Sequence, residues 1–448
     1  MSDRITVADI PMTNRRRYSA RQRAPSRRWH IPPPLIHGPE TLEGGGILHE
    51  WGSELGVLLW QTSRDVLLWA TTEPASRAET FASRSGALLD HQIKSLVSED
   101  ADPRLRAGLQ QLHQMVAQPG TVKEEQVARA CRQLSEWADD VGKLGTALAF
   151  AQDCALASRR DAGAAFWVAT VAVRLNDHAR AEVWFRRAVG LARQSRDWRM
   201  YSRAFGGLGN LYVRRGNLPA ARRLHTRALR GARRGGMRRE QAAALHDLFG
   251  VAVETGANAE AERLARVALD TYGMRNRRVH VLAHDVAYFW MEQGHFARAL
   301  PVFQAVLPLV HRPLERLFVL ADLVRAAGGV GDVSTAEAAA DEVWQYALDP
   351  ELAQGAARAL LEVAHGFMSL GDITRAGEAA GLALATAIEN RESKVRFAAE
   401  AVIESLRKSL DDTEVVPVPQ APEVDSSSGD ALAADFVRTL EAIAGAAT

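Results

Sequence analysis

Between about residue 125 and residue 390, apolar side chains recur three and four residues apart in paired runs, and each pair is broken once by glycine or asparagine. Spacing of this kind collects side chains on one face of a helix. The pattern therefore predicts antiparallel helical hairpins. The breaks fall at Gly142, Asn176, Gly216, Gly256, Gly294, Gly331 and Gly371, with spacings of 34, 40, 40, 38, 37 and 40 residues. Five residues after every break stands alanine: Ala147, Ala181, Ala221, Ala261, Ala299, Ala336 and Ala376. Eight before it stands Leu or Val: Leu134, Val168, Leu208, Leu248, Val286, Leu323 and Val363. Twelve after it stands a small or medium residue, from Cys154, Ala188, Ala228 and Ala268 to Val306, Val343 and Ala383. Two helices crossing in a hairpin need a small side chain where they approach most closely. A glycine at the turn supplies the positive φ that ends the first helix.

One unit, Leu208 to Ala228, reads LGNLYVRRGNLPAARRLHTRA. It resembles a tetratricopeptide repeat: Leu208-Gly209 and Tyr212 before the turn at Gly216, then Ala221 and Ala228 on the returning helix. The recurrence of the columns extends that resemblance over about 60 % of the chain. It implies an all-α fold, a right-handed α-solenoid of about seven tetratricopeptide-like hairpins. Repeats near 40 residues resemble the sensor arrays of bacterial regulators more than short chaperone modules. The family's usual proline near the end of a unit is absent, and Arg233 holds that offset in the third unit.

The flanks divide further. Residues 1–46 are rich in arginine, proline and glycine and are expected to be disordered. They read either as a basic arm or as an extended start, since Met12 can also initiate. Residues 47–120 are expected to form a helical N-terminal cap over the end of the array at 125–390. Within it, one helix is predicted from Ile47 to about Ala70, a second from Ala75 to Val97 and a third from Pro103 to Ala117. A capping helix at 391–410 closes the far end, and 411–430 is an acidic linker. That linker delivers a short amphipathic helix at 431–444, capped by Asp430, with Leu432, Phe436, Leu440 and Ile443 on one side. The tethered helix either docks in a partner's groove or folds back on its own array.

Composition changes little in this picture. Net charge is +1, and Cys131 and Cys154 have no metal-ligand spacing, which fits packing residues in a reducing, cytoplasmic setting. No run is long and apolar enough to span a bilayer, and the start lacks the apolar core of a secretory signal. The distribution of charge is more informative. Residues 198–239 hold 12 arginines and no acid, so the rest of the chain sums to −11. Stepping about 100° per residue from Ala221 turns Arg222, Arg223, Arg227, Arg230, Arg233 and Arg234 away from the core.

No catalytic motif emerges, and no cofactor or metal is expected. Gly328 to Thr335 lacks the lysine of a phosphate loop, and His49-Glu50 lacks the second histidine of a zinc protease. A binding function points instead to the first helices. Nine residues before the turns of units four to seven stand Asp247, Asp285, Asp322 and Glu362, with His246, His284 and His365 beside them. In the resembling family this part of the first helix faces the concave groove, so the acids are expected to form a negative ladder for a basic peptide. Metal binding by the His-Asp pairs is a weaker reading, since neighbours on a helix point about 100° apart. Asn210 and Arg214 fit two places of the family's carboxylate clamp, but later units carry acids there. The expected function is a non-enzymatic protein-interaction scaffold, regulatory in kind. The alternative is binding of nucleic acid or another polyanion by the arginine belt and arm.

Overall fold

The computed structural model describes residues 45–83, 86–97, 100–273, 276, 278–347, 349, 352–411 and 427–446. Among them the fold is all-α, a helical-repeat solenoid without strands. The chain divides into two compact units, Met1–Val251 and Ala252–Thr448. The expected disordered arm, up to residue 44, and most of the acidic linker, 412–426, lie outside the described residues.

The first unit opens with α1 (Gly45–Glu50), α2 (Glu54–Thr71), α3 (Arg77–Phe81), α4 (Gly86–Leu96) and α5 (Pro103–Ala117). Hairpins follow: α6 (Glu124–Asp140) with α7 (Leu144–Ala157), α8 (Ala162–Arg174) with α9 (His178–Ser195), and α10 (Trp198–Arg214) with α11 (Leu218–Arg234). The division between units falls inside α12 (Arg238–Glu254). The second unit continues with α13 (Asn258–Tyr272), α14 (Val279–Glu292), α15 (Phe296–Val306), α16 (Pro313–Val330), α17 (Val333–Ala347), α18 (Ala353–Ser369) and α19 (Ile373–Glu389). It ends in α20 (Ser393–Asp411) and α21 (Ser427–Gly445).

All seven turn positions have positive φ, from 57° at Asn176 to 80° at Gly331. The next residue often restarts the chain. Asp177, Asn217, Asp332 and Asp372 each accept a backbone N–H three residues on, which satisfies an orphan donor of the following helix. All seven alanines of the second column are completely buried. The two flanking columns are buried throughout, so each hairpin closes on the side chains the pattern picked out.

Two predicted helices are interrupted. The first breaks at 51–53, because Trp51 turns aside to stack on Trp137 at 5.2 Å, its indole N–H donating to the Thr146 hydroxyl at 3.0 Å. Glu50 accepts from the backbone N–H groups of Gly145 and Thr146, both at 2.7 Å, and so caps α7 from outside it. A side chain at 145 would press within 3.0 Å of that carboxylate, hence the glycine. Where the pattern predicts one helix from Ala75 to Val97, the chain forms a 3-10 turn at Pro74–Ser76, then α3 and α4, with residues 84–85 outside the described residues.

α1 and α2 pack on α7, and α5 packs on α6. Trp69 is fully buried there; its indole donates to the Pro119 carbonyl at 2.9 Å, and the Arg77 guanidinium lies 3.7 Å from its ring centre. Cys131 and Cys154 are buried and unbonded, and burial pushes the Cys154 thiol up to about 12.

Candidate functional site

In the second unit, three first helices present a continuous face. α14 carries Asp285, Tyr288 and Glu292; α16 carries Phe318, Asp322 and Arg325; α18 carries Arg358, Glu362 and His365. Each set steps by three or four residues and so shares one side of its helix. α16 and α18 come together at Gly328 and Gly366, where a Cβ on Gly328 would lie 2.3 Å from the Gly366 carbonyl. Only glycine permits that approach, and it brings the polar stripes into hydrogen-bonding range.

Two chains of charge result. His284 reaches Asp322 with Nε2 at 2.9 Å and Asp285 with Nδ1 at 3.4 Å. Burial works against the charged ring, yet the bonds to Asp285 and Asp322 raise its pKa to about 9. Arg325 bonds Glu362 at 2.7 Å and Glu292 at 2.6 Å. Burial works against this guanidinium too, and the two carboxylates more than offset it. Each cation thus bridges one buried carboxylate to one at the surface: the Asp322 and Glu362 side chains are 2 % and 8 % exposed, those of Asp285 and Glu292 45 % and 46 %.

The remaining residues tighten this face. Arg358 lies 5.3 Å from the Tyr288 ring centre and 5.0 Å from that of Phe318, joining all three helices. Burial, reinforced by Glu362 and Glu292, pushes the Tyr288 hydroxyl up to about 12. Burial next to Arg325 drives His365 down to about 4, so its ring is neutral at physiological pH.

The acidic ladder therefore needs correction. It is not a row of four open carboxylates, because Asp322 and Glu362 point inward and are neutralised by His284 and Arg325. Asp247 belongs to the first unit, where its Oδ2 lies 3.2 Å from Nδ1 of the buried His225. His246 is half-buried with its ring 6.1 Å from that of Phe249, and Asn210 and Arg214 are exposed. All four lie in the first unit. As for metal, both ring nitrogens of His284 are committed to carboxylates. Sequence reasoning missed Tyr288, Glu292, Arg325 and Arg358. One signal was present: Asn210, Tyr288, Arg325 and His365 all stand six residues before their turns.

The arginine belt lies on α11. Arg222, Arg223, Arg227, Arg230 and Arg234 are exposed, while Arg233 is half-buried and burial lowers its pKa. Arg227 sits 5.7 Å from the Phe205 ring centre and Arg234 4.4 Å from that of Trp198.

The C-terminal helix is longer than expected and begins at Ser427, so Asp430 lies in its first turn instead of capping it. α21 lies against α15, with smaller contacts to α14 and α13. Leu432, Phe436 and Leu440 are buried. Arg298 meets Asp430 at 2.9 Å, and Arg266 pairs with Asp435. A Cβ on Gly429 would collide with the Arg298 guanidinium at 2.3 Å.

Residues 161–234, covering α8 to α11, match the tetratricopeptide repeat family. The match covers these two hairpins, so tetratricopeptide repeats are shown for residues 161–234. No curated protein matches it at significance. Among solved structures it is similar to the apo form of RapI, with 10 % identity, covering 80 % of this chain and 100 % of that one, at a TM-score of 0.47. It is also similar to BtubC (BKLC) from P. vanneervenii, with 18 % identity, 50 % and 91 % coverage and a TM-score of 0.38. A Rap protein complexed with competence and sporulation factor is similar at 12 % identity, 78 % and 99 % coverage and a TM-score of 0.35. No helix among the described residues is long and apolar enough to cross a membrane.

Proposed function

We propose that this chain is a non-enzymatic, regulatory protein-interaction scaffold that takes a basic peptide segment of its partner on the α14–α16–α18 face. The observation that carries this reading is the polarity of the two charge chains. The cations His284 and Arg325 are held inside, and the carboxylates Asp285 and Glu292 stand at the surface seven residues apart on one helix. Two carboxylates fixed by buried partners lose little freedom on binding, which favours a cationic ligand. Tyr288 between them, with Arg358 and Phe318 behind, offers a flat surface to the stem of an arginine or lysine. Capture of a partner from native-cell extract tests this: the wild type retains a protein that Asp285→Asn/Glu292→Gln loses, whereas equal retention removes the face as the site.

A second reading rests on α11. Five exposed arginines on one helix form a patch suited to phosphates or clustered carboxylates. Heparin retention decides it: wild type and Arg223→Gln/Arg227→Gln/Arg230→Gln eluting at the same salt would leave the belt as plain surface.

A further inference from the structure

A cavity of about 270 Å³ lies in the first unit between α2, α7 and the start of α9. α2 contributes Trp60, Ser63, Arg64 and Leu67, at the i, i+3, i+4 and i+7 positions of one helix face. α7 contributes Leu148, Ala149, Gln152 and Asp153, two adjacent pairs one helical turn apart. The small side chain of Ala149 leaves room that a larger one would fill.

The polar groups in this cavity are unusual. Gln152 is 1 % exposed, and neither its amide nitrogen nor its amide oxygen finds a partner among the described residues. Asp153 is 4 % exposed and its Oδ2 is likewise without a partner there, as is the Trp60 indole N–H. Buried polar groups are almost always hydrogen-bonded, and three residues with unpartnered polar atoms lining one void call for an explanation. None of them serves the face on α14, α16 and α18.

Their chemistry narrows the occupant. Burial pushes the Asp153 carboxyl up to about 8 against a hydrogen bond from Ser63, so at neutral pH it keeps its proton. It then offers a donor and an acceptor, as the Gln152 amide does. A cationic occupant is disfavoured, because Arg64 and Arg180 line the same cavity and Asp177 is already bonded to Arg180 at 3.0 Å. Ile47, Leu67, Leu148 and Leu175 supply apolar walls for a flat body. We propose that this cavity binds a small neutral heterocycle of one or two rings through its cis-amide edge, with Gln152 and Asp153 matching the N–H and C=O of that edge and Trp60 donating alongside.

Full-length protein titrated with uracil, 2-pyridone and hypoxanthine, followed by saturation-transfer NMR and calorimetry, tests the proposal. At least one lactam is expected to bind and to compete with the others. Gln152→Leu is expected to weaken that binding at least about tenfold while melting no lower than wild type, because it removes a buried amide without partners. Trp60→Phe, a milder change, is expected to weaken it less. Failure of all three probes to bind, or equal binding by Gln152→Leu, would overturn the proposal. Raised stability in Gln152→Leu with no probe binding to the wild type would overturn it too, by showing a water-filled cavity.

Discussion

His284 on α14 and Asp322 on α16 meet at 2.9 Å, joining two first helices through a buried charge pair. The ring's pKa is raised from 6.5 to about 9, so the pair stabilises the fold fully below about pH 6.5 and that contribution is lost as pH rises through 9. The shift corresponds to at most about 3–4 kcal/mol. Denaturant unfolding between pH 6 and 10 should show the loss, and His284→Asn/Asp322→Asn should remove this pH-dependent component. NMR titration should place the imidazole midpoint near 9; a midpoint near 6.5 would mean that the two residues are not paired.

Ala221 is fully buried where α10 and α11 cross. Ala221→Leu should overpack the crossing and cost about 1–3 kcal/mol. Coupling between stacked hairpins should keep the transition cooperative over neighbouring repeats. An unchanged melting temperature would show that Ala221 is not the contact point of its hairpin.

The repeat columns were legible because the chemistry behind them is local. Gly216 has φ of 70° at its turn and Ala221 lies five residues on, so one sequence window contains both cause and effect. The proposed recognition face was legible only in part. Asp322 and Glu362 share an offset, but their partners come from neighbouring helices, His284 on α14 for one and Arg325 on α16 for the other. Which carboxylate turns inward depends on the lateral register of α14, α16 and α18, set in part at the Gly328–Gly366 contact, and no periodicity reports that. The break at Trp51 was hidden for the same reason, since its partners Trp137 and Thr146 lie far along the chain. Nothing in the sequence marks out Gln152 and Asp153, and only their buried polar atoms without a hydrogen-bond partner distinguish them.

Phe436 anchors α21 in the second unit, beside the ion pairs of Arg298 and Arg266. Phe436→Ala should cost that attachment about 3–5 kcal/mol. Hydrogen exchange should then accelerate across 427–445 and along α15, while α6 to α9 stay as protected as in the wild type. Unchanged exchange in both segments would show that Phe436 does not hold the helix in place.

The proposed binding face is tested most directly by titrating a labelled arginine-rich peptide, residues 13–30 of this chain, into the full-length protein at low and moderate salt. Asp285 and Glu292 are the accessible carboxylates of that face. Salt-sensitive binding is expected, weakened about tenfold or more by Asp285→Asn/Glu292→Gln, since each charge-assisted contact contributes on the order of 1 kcal/mol. The triple arginine variant of α11 should bind the peptide no less tightly than the wild type. Equal affinity of the wild type and the Asp285→Asn/Glu292→Gln variant would contradict the account.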